Sequence, residues 1–145
     1  MAVRRTAFER WAGFDPRLGS GAPLPGGEES LAFLQLVQGG GRVVYTPGSV
    51  VRHPYPDGDA AVVARTLRDD PVAVAYTLYL IARERGIRWQ LLCYAVGGAL
   101  GVRRGWRATM PVVAPPVASW RRWRARLAGI PLFLRVLASP DEGAR

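Results

Sequence analysis

The stretch from Gly13 to His53 decides the reading of this chain. It opens Gly13-Phe14-Asp15, passes through a glycine- and proline-rich loop, and reaches Gly26-Gly27-Glu28-Glu29 at the start of an apolar run. Leu31, Leu34 and Val37 recur at i, i+3, i+6, so a helix from Glu28 to about Gln38 with a buried stripe is expected. Glu28 and Glu29 fall in its first turn, where the positive end of the helix dipole favours negative charge. Gly39-Gly40-Gly41 stops it, Arg42-Val43-Val44-Tyr45-Thr46 reads as a strand, Pro47-Gly48 as a turn, and Val50-Val51-Arg52 as a second short strand. That strand ends on His53, the one histidine of the chain. Two adjacent carboxylates at a helix start and one imidazole are the grouping here that resembles chemistry.

Outward from this stretch, Ala2 to Ala12 carries Phe8 and Trp11 at helical spacing, and Gly13 is placed to end that helix. Residues 59–68 form a further helical run. Asp70-Pro71 reads as N-cap and first position of a separate helix reaching Arg85, and residues 89–102 as another, weakened by Gly97-Gly98. Residues 103–126 alternate arginine with Trp106, Trp120 and Trp123, broken by a proline-rich apolar segment at 110–117. Residues 127–137 are again apolar.

The 145 residues suffice for one core, and 49% apolar with 21% charged residues is ordinary for a globular chain. The formal charge of +9 is uneven. Residues 1–57 hold six arginines against five acids, residues 58–100 five against four, and residues 101–145 nine against two; there is no lysine. A basic tail of this kind suits an anionic partner. Interleaved Trp and Arg fit a membrane surface, a nucleic acid or a plain solvated helix; the membrane surface is favoured, since Trp sits at headgroup depth and Arg meets anionic lipid. Cys93, alone of its kind, lies in an apolar run and reads as a buried, inert thiol. No zinc cluster can be built from one Cys and one His, and no window reaches the roughly 18 apolar residues of a spanning helix.

The ordered pieces Met1-Ala2-Val3-Arg4-Arg5, Gly13-Phe14-Asp15, Gly26-Gly27-Glu28-Glu29, Gly41-Arg42-Val43-Val44-Tyr45-Thr46-Pro47 and Val51-Arg52-His53 together resemble the C-terminal half of the catalytic domain of family-two glycosyltransferases. These are inverting enzymes of the GT-A fold that use nucleotide-diphosphate sugars. The resemblance covers residues 1 to about 57. It implies an α/β fold there, a partial GT-A half-domain with a short mixed sheet; the residues beyond it read as a helical region at 58–102 and a basic, Trp/Arg-rich helical tail at 103–145.

The resemblance also assigns roles. Glu29 falls on the catalytic base that deprotonates the acceptor hydroxyl, and Glu28 on the glutamate before it. Phe14 and Asp15 fall on the segment beneath the acceptor site, and His53 on a histidine near the metal and diphosphate. A divalent metal, Mg²⁺ or Mn²⁺, a nucleotide-sugar donor and a glycan or lipid-linked acceptor are implied, with cytoplasmic work at the inner face of the membrane. The family base is usually Asp, and here it is Glu29. Gln35 stands where family helices often carry Arg. The Asp-x-Asp metal motif that belongs to the N-terminal half does not precede Gly13, and Asp57-Gly58-Asp59 lies after the catalytic stretch. The chain therefore reads as the acceptor-side half of such a domain. Read from the residues alone, Glu28 and Glu29 are equally ordinary helix-start acids and His53 an ordinary strand-end histidine. A non-catalytic membrane-surface or partner-binding protein that uses the Arg/Trp tail is the alternative function.

Overall fold

A computed structural model describes residues 3–9, 11, 13–52, 57–99 and 117–140. The chain divides into two units, one of Met1–Tyr55 with Ser139–Arg145 and one of Pro56–Ala138. The helices are α1 (Arg5–Phe8), α2 (Glu28–Gln38), α3 (Asp59–Arg83), α4 (Arg88–Ala99), α5 (Ser119–Leu127) and α6 (Gly129–Ala138), with a 3-10 turn at Arg85–Ile87.

The described residues are mostly helical and contain no strand, which overturns the expected α/β class with a short mixed sheet. Residues 41–46 and 49–52 belong to no helix or strand, and Val44, Tyr45 and Val51 are exposed. The turn at Pro47-Gly48 forms, closed by the Ser49 N–H on the Thr46 carbonyl at 3.0 Å. Strand propensity in Arg42–Thr46 reflects side chains suited to a pleated, half-buried surface. A strand also needs a neighbour for its backbone groups, and none of the described residues pairs with this segment. Among the described residues the one bridge is an isolated parallel pair, Leu18 with Leu24.

In the first unit, α2 begins after Gly27 and ends in a Schellman motif. The Gly40 N–H donates to the Val37 carbonyl at 3.0 Å and the Gly41 N–H to the Leu36 carbonyl at 2.7 Å. That closure needs the left-handed backbone Gly40 adopts at φ +78°. The buried face of α2 is Leu31 and Ala32; Val37, expected inside, is exposed. Leu18 and Leu24 of the preceding loop are buried too. The N-terminal helix is one turn, shorter than the expected Ala2–Ala12. The Trp11 ring meets Phe8 and Phe14 edge-on, at centroid distances of 5.9 and 4.7 Å. Its indole N–H donates to Gln35 Oε1 at 2.8 Å, tying this aromatic row to α2.

In the second unit, α3 packs against α4, α5 and α6, burying Ala75, Tyr79, Leu80 and Val136. Sequence predicts two helices meeting at Asp70-Pro71, whereas α3 runs through both. Pro71 removes the N–H that would reach the Leu67 carbonyl. Asp70 does not cap. It accepts two hydrogen bonds from Arg122 of α5, Nε to Oδ2 at 2.9 Å and Nη2 to Oδ1 at 3.0 Å. Arg126 comes within 3.9 Å of the same carboxylate. Gly129 opens α6 against this point of α3. A Cβ there would stand 2.6 Å from the Pro71 carbonyl oxygen and 2.8 Å from Val74 Cβ, so the close approach admits no side chain. At the far end of α3, Arg88 donates to the Ile81 and Ala82 carbonyls at 2.8 and 3.0 Å. It satisfies acceptors that the last helical turn leaves open and fixes the corner into α4. Cys93, on α4, is exposed rather than buried. Trp89, Leu92, Tyr94 and Val96 of the same helix are exposed as well, so an apolar run did not mean a buried helix.

Candidate functional site

The candidate site lies in the first unit, where the loop from Gly13 to Gly27 leads into α2. Two short-range devices shape the loop. Asp15 takes the Arg17 backbone N–H on Oδ1 at 3.0 Å, an Asx-type turn, and pairs with the Arg17 guanidinium through Nε at 3.0 Å and Nη2 at 3.1 Å. The pair is shielded, with side chains only 2% (Asp15) and 13% (Arg17) exposed. Beyond it, the Leu24 N–H donates to the Arg17 carbonyl at 3.0 Å and the Gly19 N–H to the Leu24 carbonyl at 2.9 Å. The residues that predict an irregular loop thus build a closed, internally bonded one, which delivers the chain to Gly27 and the first turn of α2.

Glu28 and Glu29 sit side by side in that turn, as expected, and differ in environment. The Glu28 side chain leans onto the loop: a Cβ at Gly19 would lie 3.5 Å from its carboxyl carbon. Glu29 is exposed, and no described residue forms an ion pair with it. The site therefore presents one carboxylate to solvent and holds its neighbour against the loop.

The other predicted residues divide. Asp15 and Phe14 belong to the same loop, and Asp15 is buried and held by Arg17, so it shapes the loop. Phe14 is exposed on one side and meets Trp11 on the other. His53 lies outside the described residues. Sequence reasoning missed Arg17 and Gln35. The signal for Arg17 was the Asp15-Pro16-Arg17 spacing, in which an Asx turn places a side chain two residues on beside the carboxylate. Nothing local signals that Gln35 receives the Trp11 indole.

Among the described residues no group of three or more His, Cys, Asp or Glu side chains is placed to hold a metal ion. Asp15, the acid nearest in sequence to the glutamates, already spends both oxygens on Arg17. The described residues thus offer no donor set for the divalent metal that the resemblance implies.

In the second unit, the guanidinium of Arg122 is raised above its ordinary value, chiefly by its hydrogen bond to Asp70 and against the opposing effect of burial. The arginine is charged at neutral pH. Among the described residues no helix is long and apolar enough to cross a membrane. No protein-family model, no curated protein and no solved structure matches the chain.

Proposed function

We propose that the chain supplies the acceptor side of a sugar-transferring enzyme, in which a sugar passes from a nucleotide-diphosphate donor to a cell-envelope or polysaccharide acceptor at the inner face of the membrane. Glu29 is the general base. It takes the proton of the acceptor hydroxyl as that oxygen bonds to the anomeric carbon, and the nucleoside diphosphate leaves with the electron pair of the broken bond. The observation that carries the reading is the placement of Glu29: an exposed carboxylate with no described ion-pair partner, on the first turn of a fixed helix, beside a loop locked by Asp15 and Arg17. A base must lie within hydrogen-bond reach of the proton it removes, and a helix start holds it more rigidly than a loop can. Glu28, against Gly19, positions that turn. Exposed Phe14 offers apolar ring surface to a sugar. The resemblance puts donor binding and metal binding in the other half of such a domain, so the chemistry assigned to this chain is acceptor binding and proton removal.

The test is an NMR titration of the full chain with a panel of oligosaccharide and lipid-linked acceptors. An acceptor is expected to shift amide signals of residues 13–29. Glu29→Gln is expected to keep the fold while changing those shifts at the first turn of α2. If no acceptor in the panel perturbs this region, the reading fails. A parallel titration with UDP- and GDP-sugars, with and without Mn²⁺, asks whether the chain also holds the donor.

A further inference from the structure

The helices α5 and α6 each leave an apolar stripe in solvent. On α5 the inward positions hold Arg122 and Ala125, while Trp120, Trp123 and Leu127 point outward, the two indoles 61% and 51% exposed. At 3.6 residues per turn these three lie within about 60° of one another around the axis. On α6, Gly129 and Val136 are buried, and Ile130, Leu134 and Leu137 form a second exposed stripe within the same angular spread. An ordinary surface helix keeps its apolar stripe on the core, whereas these stripes lie on the solvent side. This orientation is fixed. The bidentate Arg122–Asp70 pair and the contact of Gly129 with Pro71 hold both helices on α3 with the apolar stripes outward.

Charge settles what covers them. Residues 117–140 contain five arginines and no acid. Arg122 and Arg126 face Asp70, with the Arg126 guanidinium also 5.7 Å from the centre of the Trp123 ring. Arg121 and Arg124 are exposed beside the Trp stripe. We infer that the outer face of α5 and α6 is an interfacial anchor for an anionic phospholipid bilayer. Trp120 and Trp123 lie at headgroup depth, Leu127, Ile130, Leu134 and Leu137 enter the acyl boundary, and Arg121 and Arg124 meet lipid phosphates. A nucleic acid fits less well, because the aliphatic stripe of α6 has neither base nor phosphate to meet. A protein interface centre fits less well beside two exposed arginines that have no ion-pair partner among the described residues. This inference is independent of the sugar-transfer reading.

Vesicle flotation of the full chain tests it, with phosphatidylcholine vesicles against vesicles containing one third phosphatidylglycerol, at low and high salt. Binding is expected to need the anionic lipid and to weaken with salt. Brominated acyl chains are expected to quench tryptophan emission, and Trp120→Phe/Trp123→Phe to remove most of that quenching. Arg121→Gln/Arg124→Gln, at exposed positions that leave the Asp70 contact intact, is expected to weaken partition about thirtyfold. Circular dichroism checks that each variant folds. Equal binding to both vesicle types, or none, overturns the inference. So does a lipid-free dimer in sedimentation velocity that Trp120→Ala/Trp123→Ala dissociates, or displacement from vesicles by stoichiometric single-stranded nucleic acid.

Discussion

The two units each depend on a bidentate Asp–Arg pair, and the pairs differ in reach. Asp15 and Arg17 are two residues apart; Asp70 and Arg122 are 52 apart. The near pair sets the shape of a loop. The far pair sets which face of a helix meets its neighbour. Burial differs as well: the Asp15 side chain is 2% exposed and that of Asp70 12%. A carboxylate left unpaired in the drier place costs more. The same two residue types thus act once as local geometry and once as tertiary architecture. In the first unit the result is an exposed glutamate on a rigid turn; in the second it is an exposed apolar stripe.

Five substitutions probe this contrast. The largest effect is expected from Gly129→Val, whose branched side chain has no room at Pro71 and Val74. It should cost about 3 kcal/mol in denaturant unfolding, and a change of less than a third of that would mean α6 can move off α3 freely. Asp15→Ala follows, at about 2–3 kcal/mol, since it removes the bidentate partner of a shielded guanidinium. Amide exchange should rise across residues 17–26, where the loop bonds depend on it. Arg122→Ala should cost about 1–3 kcal/mol. A double-mutant cycle with Asp70→Asn is expected to return a coupling above about 1 kcal/mol; additive losses would reduce the far pair to a surface contact. The smallest effect belongs to Trp11→Phe, which keeps the ring row and deletes the indole donor to Gln35. About 1 kcal/mol is expected, read as a shift in the thermal midpoint.

The sequence revealed some of these elements and hid others for reasons that can be named. The bounds of α2 were legible because glycine brackets it on both sides and because two acids occupy its first turn. The placement of Glu28 and Glu29 followed from that. The continuity of α3 was not legible: Asp70-Pro71 is a strong local start signal, and only a partner 52 residues away explains why Asp70 does not cap. The Arg42–Thr46 strand was an inference from propensity, and propensity supplies no pairing partner. Cys93 and Val37 were placed inside by their apolar neighbours, yet burial is decided by what packs on a helix, not by what is in it. The lock on Asp15 could have been read from Asp15-Pro16-Arg17. The outward stripe of α5 could not, since the composition of that helix is equally that of a solvated basic one.

The distance along the chain between Asp70 and Arg122 also orders events in time. Bringing ends 52 residues apart together carries a closure entropy on the order of 3–4 kcal/mol, and contacts of such separation form late. During synthesis α3 leaves the ribosome complete, with Ala75, Tyr79 and Leu80 uncovered, long before Arg122 exists to clamp it. The helix that ends as the centre of its unit thus begins as its most exposed apolar surface. Its safe passage depends on how soon the arginines of α5 arrive.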